Sequence, residues 1–232
     1  METNHDHIPA TTATSSSSSS TLATDDPRTT LAAAVAVAGG VIAATTPDQF
    51  DLPTPCTDFD VRTLLGHLVA VLGRVAVVGR HEPALSVPSI VTGIADDGWS
   101  SAWQDAAHGV QAVWQDAALL DDTFVLPWAT KSGVDLLLGY ASEVSVHTWD
   151  LAKATGQSPA WDDEVLEAAY TGSLAALPER DRRLGFEAIR AQLPPQLRDV
   201  PPPFGEPIAV PEGSPVIDRL VAWNGRAPGW QP

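Results

Sequence analysis

The chain has 232 residues, and 13 Lys and Arg against 29 Asp and Glu give a formal net charge of −16; such a surface repels phosphate backbones and anionic lipid, so nucleic-acid binding by bulk electrostatics is excluded as a default. The one cysteine, Cys56, excludes an internal disulfide and a Cys-rich zinc cluster, which fits a reducing, cytoplasmic setting and leaves any metal to His and carboxylates. No apolar run reads as reaching the roughly 18–20 residues of a bilayer span; the nearest, Leu31 to Ala44, is Ala/Gly-rich, and a soluble chain without membrane contact is expected.

Residues 1–24 carry acids and a Ser/Thr tract where a signal peptide would carry Lys/Arg and an apolar middle, so they read as a disordered tail in which His5 and His7 are solvated. Asp25-Asp26-Pro27 is a helix-start signature, and Leu31 to Thr46 reads as the first helix. Pro47 to Thr57 is a turn-rich loop, after which Asp58 or Asp60 can cap a second helix. In that helix, Val61 to Gly79, the apolar residues Val61, Leu64, Leu65, Leu68, Leu72 and Val75 recur at helical spacing around His67. Trp99 to Leu120 reads as a third helix, Asp121 to Gly133 as an irregular connection, and Val134 to Ala154 as a fourth helix stopped by Gly156. Asp162 to Leu177 reads as a fifth helix, with a broken continuation to Arg190. Pro194-Pro195 and Pro201 to Pro203 punctuate a linker, FGEPIAVP reads as a strand pair or a strap, and Ser214-Pro215 opens a last short helix ending near Gly225. The expected fold is all-α: an up-and-down four-helix bundle over 25–192, with a Pro-rich extension over 193–232 packing on it.

The segment that carries chemistry is YASEVSVHTWD, residues 140–150. At about 100° per residue, Leu136, Tyr140, Glu143, His147, Asp150 and Ala154 fall on one stripe of the fourth helix. Most of the remaining circumference is apolar, so Glu143 needs a partner or a metal. One reading is an ordinary i,i+4 Glu–His pair; the other adds His67 from the second helix as a third ligand, although a His on an apolar face is more often a hydrogen-bonded core residue. Together His67, Glu143 and His147 make a two-His, one-carboxylate set, suited to an open zinc site, to non-haem Fe(II), or to Ni or Mn. Asp150 is read as a fourth ligand, an acceptor that orients a ligand His, or a base, and it is the candidate catalytic residue.

PTPCTDFDVRTLLGHLVAVLGR followed by YASEVSVHTWDLAKATG resembles the metal-binding domain of mycothiol-dependent maleylpyruvate isomerases, within the DinB/YfiT-like superfamily of metalloenzymes. The segment FGEPIAVPEG with VIDRLVAWNGRAP resembles the single-domain subgroup, and the similarity spans about Thr29 to Pro228. The resemblance implies a DinB-like bundle holding a divalent metal, usually zinc, on His67, Glu143 and His147. It also implies a metal-dependent transferase or isomerase that activates a mycothiol-like thiol toward a small electrophile. The alternative is a non-catalytic, metal-stabilised helical module for a small ligand or protein partner. The isomerases carry an additional C-terminal α/β domain that supplies an arginine, and the residues after this bundle are too few for it, so maleylpyruvate isomerisation itself is not expected. The available arginines are Arg180, Arg182, Arg183 and Arg226, with the PERDRR cluster reading as a solvated helix end. Cys56 precedes a helix N-terminus, a position that lowers a thiol pKa, yet a lone Cys is more often a small buried hydrophobe. The tryptophans read as core, and His81 and His108 as surface residues without ligand-spaced partners. A bundle with an apolar outer face would suit a homodimer.

Overall fold

The computed structural model describes Met1, residues 26–195, residue 198 and residues 204–232; residues 2–24 of the expected tail and Pro201 to Pro203 fall outside these. Helix α1 (Pro27–Ala44) starts where the Asp-Pro signature predicts: Asp26 accepts a hydrogen bond from the Arg28 amide and Pro27 sits in the first turn. Helix α2 (Val61–Gly79) has the predicted bounds, with the Asp60 carboxylate accepting from the Thr63 amide. Helix α3 (Trp99–Trp114) stops six residues earlier than the sequence suggests, because Asp116 caps a separate 3-10 turn, Ala117–Leu120. Helix α4 (Gly133–Thr155) is capped by Ser132 and ends at Gly156 in the left-handed conformation, φ 70°, which glycine adopts without a Cβ penalty. Helices α5 (Asp163–Ala176), α6 (Arg182–Arg190) and α7 (Val216–Trp223) follow.

The four long helices form a bundle in which α1 and α2 each pack on both α3 and α4. Helices α1 and α2 therefore stand at opposite corners, and the 45–60 connection crosses the end of the bundle between them. It is anchored by Phe50, buried in the core, and closed by the Leu52 carbonyl accepting from the Val61 amide. Leu64, Leu65, Leu68, Val71 and Leu72 of α2 meet Leu137, Ala141, Val144 and Leu151 of α4 in one continuous core. Trp99, Trp103 and Trp149 are buried in it, as their helical spacing predicts.

Three sequence expectations are corrected. Residues 121–133 are not irregular: β1 (Thr123–Leu126) and β2 (Ala129–Ser132) form an antiparallel hairpin, in register from Thr123 opposite Ser132 to Leu126 opposite Ala129. Phe124 is its one fully buried residue, against Trp114, with Leu126 partly buried on the core, and the Pro-Trp turn lacks the Asn-Gly or Asp-Gly signal that marks a short hairpin. Second, Pro215 occupies the N-cap of α7 rather than its first turn, and the Ser214 hydroxyl turns back to the Pro211 carbonyl. Third, α1 and α2 are both long and apolar enough by length and composition to cross a membrane, with mean hydropathies of 1.4 and 1.7. In α2 that apolarity serves packing, since two-thirds of its length is buried between α3 and α4.

Residues 204–213 contain no strand and run as a strap along α7, where the Ile208 amide donates to the Ala222 carbonyl. Helix α7 rests on α5 and touches α4. Arg182, read as part of a solvated cluster, is instead buried over the Trp223 ring and donates to the Pro178, Gly205 and Trp223 carbonyls, tying α6 to this segment.

Candidate metal centre

Helices α2 and α4 bring His67, Glu143 and His147 together, with one ligand atom from each lying within 4.8 Å of the other two. The His67 and His147 rings meet edge to face at 4.7 Å. His67 Nε2 stands 3.5 Å from Glu143 Oε1, and these two side chains are the partly open ones, 13% and 20% exposed.

The tautomers follow from the partners. His67 Nδ1 lies 2.8 Å from the Ser89 carbonyl oxygen, which can only accept, so Nδ1 carries a proton and Nε2 is the ring nitrogen that faces Glu143. His147 Nδ1 lies 3.0 Å from Asp150 Oδ2. Asp150 is fully buried and gripped by Arg226, with Nη2 at 3.1 Å from Oδ2 and Nε at 3.2 Å from Oδ1, so it is a carboxylate and His147 Nδ1 is the donor. The Nε2 lone pair of His147 is left for the centre. Burial lowers the His147 pKa below its usual value despite the Asp150 hydrogen bond, which keeps the ring neutral. Burial pushes Glu143 up, but His67, Arg74 and His147 outweigh it and hold the carboxyl below its usual range.

His67 Nε2 and Glu143 Oε1 face each other at 3.5 Å. A proton there would draw them to about 2.7–2.9 Å. Two ligands held at about 2.0–2.1 Å by a tetrahedral ion are about 3.3–3.4 Å apart, close to the observed spacing. The donor set thus fits a divalent metal, with both imidazoles oriented from behind by acceptors, as metal-ligating histidines are.

The other sequence candidates sit elsewhere or behave differently. Asp150 lies behind His147, engaged with it and with Arg226, and is grouped with Cys56 on the Nδ1 side of the ring. Cys56 is not activated: burial pushes its thiol up to about 11, against the lowering expected from a helix N-terminus. His108 is exposed, as expected. His81 is also exposed but has a carboxylate the sequence did not indicate, Asp122 at 3.3 Å, and stacks on Phe124. Arg226 is the residue sequence reading undervalued. The signal available was NGRAP directly after an amphipathic helix, but its partner lies 76 positions away.

The family described as "Mycothiol maleylpyruvate isomerase N-terminal domain" matches residues 31–152, a span that includes His67, Glu143, His147 and Asp150. Two curated relatives, "Uncharacterized protein MT0763" of Mycobacterium tuberculosis (strain CDC 1551 / Oshkosh) and "Uncharacterized protein Rv0738" of Mycobacterium tuberculosis (strain ATCC 25618 / H37Rv), are each 31% identical over 179 residues. Each alignment covers 77% of this chain and 86% of the relative. No solved structure matches the chain.

Proposed function

The chain belongs to the mycothiol maleylpyruvate isomerase N-terminal domain family, a DinB-like family, and from that premise we propose that it is a divalent-metal enzyme that activates a low-molecular-weight thiol of mycothiol type for transfer to, or isomerisation of, a small electrophile in a reducing compartment. The observation that carries this reading is His67 Nε2 facing the Glu143 carboxylate at 3.5 Å with His147 beside them. His67, Glu143 and His147 would hold the metal, with zinc the best match to two imidazoles and one carboxylate, and Fe, Ni or Mn compatible with the same donors. Bound there, the ion supplies Lewis acidity and keeps a thiol as thiolate at neutral pH.

The protein's own groups prepare that chemistry. The Ser89 carbonyl and the Asp150 carboxylate hold protons on the two Nδ1 atoms, so neither ring has to rotate when its Nε2 is used. Asp150 has both oxygens engaged by Arg226 and His147, which favours the orienting role among the three considered for it over that of ligand or base. Cys56, with its raised pKa, remains a thiol and leaves the nucleophile to come from solution.

Elemental analysis of tag-free protein beside the His147→Ala variant tests the reading. One equivalent of metal in the parent and at least a tenfold loss in the variant are expected. A Co(II)-substituted sample should then change its visible spectrum when a thiol is added; an unchanged spectrum would favour the closed, non-catalytic module. A parent that takes up no ion after reconstitution with zinc, iron, nickel and manganese overturns the metalloenzyme reading.

A further inference from the structure

We propose that Arg74 is a positioning residue for the His67–Glu143–His147 centre: together with His67 it clamps the surface strap 87–91 onto α2, and so keeps the Ser89 carbonyl on His67 Nδ1. The proposal rests on the functional reading above for the use made of His67, whereas the clamp itself needs no metal.

Helix α2 carries one pattern twice, Gly66-His67 and Gly73-Arg74, seven residues apart. Seven residues are two helical turns less about 20°, so both pairs lie on one face, about 10.5 Å apart along the axis. The strap runs along that face in the opposite direction, with Val87 over Gly73 and Val91 over Gly66. Four residue steps span up to about 13 Å, enough to bridge the two glycines with slack for the bends at Val87, Ser89 and Ile90. A Cβ at residue 73 would meet the Val87 side chain at 3.4 Å, and one at residue 66 would strike the Val91 carbonyl oxygen. The glycine of each pair thus lets the strap approach, and the larger residue beside it reaches up to hold it.

Among the described residues, three hydrogen bonds join the strap to α2. The Val91 amide donates to the Gly66 carbonyl at 3.0 Å, His67 Nδ1 to the Ser89 carbonyl at 2.8 Å, and Arg74 Nη2 to the Pro88 carbonyl at 3.4 Å. Ser89 is therefore bracketed, with the Arg74 contact one residue before it and the Gly66 contact two residues after it. Packing contributes little at this point, because Pro88 and Ser89 are both exposed. A carbonyl on an exposed strap stays on one ring nitrogen only while the main chain is tied on either side.

Arg74 is the one charged residue buried in α2. The Pro88 carbonyl is its only hydrogen-bond acceptor among the described residues, and its Nε has none. A buried cation paired this poorly is unfavourable, and an apolar side chain of similar volume would avoid the penalty. What the arginine supplies and an apolar side chain cannot is a donor at the end of a long stem, which reaches the strap from the helix interior.

Proton exchange at the histidine ring nitrogens of the full chain, freed of metal with a chelator and followed by proton–nitrogen correlation spectra, tests the clamp. His67 Nδ1–H should be protected in the parent and exchange at least tenfold faster in Arg74→Met. His147 Nδ1–H, held by Asp150 and not by the strap, should keep its rate. Both protons should keep their rates in Arg80→Met, which removes an exposed cation from the end of the same helix. With zinc restored, Arg74→Met should bind it about three- to tenfold more weakly in chelator competition. A His67 proton that is unprotected in the parent or unmoved in Arg74→Met overturns the proposal. Equal acceleration of both histidine protons would show general loosening and overturn it too, as would zinc affinity that is unchanged despite faster His67 exchange. Should Arg74→Met fail to fold, Arg74→Gln, whose amide is too short to reach Pro88, is read in the same way; loss of the fold in both would make Arg74 a structural residue and overturn the positioning role. The two readings fail separately. A chain that takes up no zinc but shows Arg74-dependent protection of His67 loses the metal and keeps the clamp, whereas zinc uptake with His67 protection independent of Arg74 keeps the metal and loses the clamp.

Discussion

At the scale of single residues, the centre is controlled by which nitrogen carries a proton. His147 is kept neutral by burial and oriented by Asp150, and its depressed pKa has a consequence for stability. The unfolded chain takes up a proton on this residue as pH falls through 6.5, the ordinary value for His, whereas the folded chain resists until a lower pH. The neutral form's contribution is therefore fully present above about pH 6.5 and declines below it. Glu143, also depressed, acts in the same direction further into acid, its contribution being lost as pH falls below its usual 4.5. Metal-free protein should show a Tm that is flat above pH 6.5 and falls between pH 6.5 and 5, and His147→Gln should flatten that first decline. A parent Tm that rises over the same interval would contradict the assignment of a buried neutral imidazole.

At the scale of elements, α2 serves the core and the centre at once, and a glycine lets it do so. Glycine in a helix interior is unfavourable by up to about 1 kcal/mol relative to alanine, yet Gly66 sits in the middle of α2. The strap at 88–91 crosses directly over it: the Val91 amide donates to the Gly66 carbonyl, and a Cβ at residue 66 would collide with the Val91 carbonyl oxygen. That same strap supplies the Ser89 carbonyl that orients His67. Gly66→Ala should therefore lower stability, by about 1–3 kcal/mol as other overpacked sites do, despite the better helix propensity. It should also weaken zinc binding, measured by chelator competition, because the strap must lift away from His67 Nδ1. A gain in stability with unchanged zinc affinity would show that the strap is not held as described.

At the scale of the whole molecule, the C-terminal segment is part of the centre's support although it supplies none of the three proposed ligands. Arg226 reaches back from beyond α7 to Asp150 on α4, and Asn224 beside it bonds to Ser173 on α5 and to the Leu220 carbonyl. Both charges of the Arg226–Asp150 pair are buried, so removing one leaves the other without compensation. Arg226→Met should destabilise the fold by about 3–5 kcal/mol in denaturant unfolding. It should also reduce zinc affinity by about 10–100-fold through the loosened Asp150–His147 contact. Unaltered zinc affinity in the folded variant would separate the C-terminal segment from the centre.

The sequence by itself determined the long helices and the stripe of proposed ligands. Their signals are local: apolar residues at helical spacing in α2, acids at the starts of α1 and α2 at Asp26 and Asp60, Gly156 at the end of α4, and Glu143, His147 and Asp150 three and four residues apart on one face. Each such relation is completed within a turn or two of one helix, so it can be read without the rest of the chain. Only the tertiary structure decided how these pieces meet. It placed His67 across from Glu143, engaged Asp150 with Arg226, and buried Cys56 where its thiol is raised rather than lowered. The reason is that pairing and desolvation depend on residues far apart in the chain, and no local spacing records which helix will face which or how much water will remain between them.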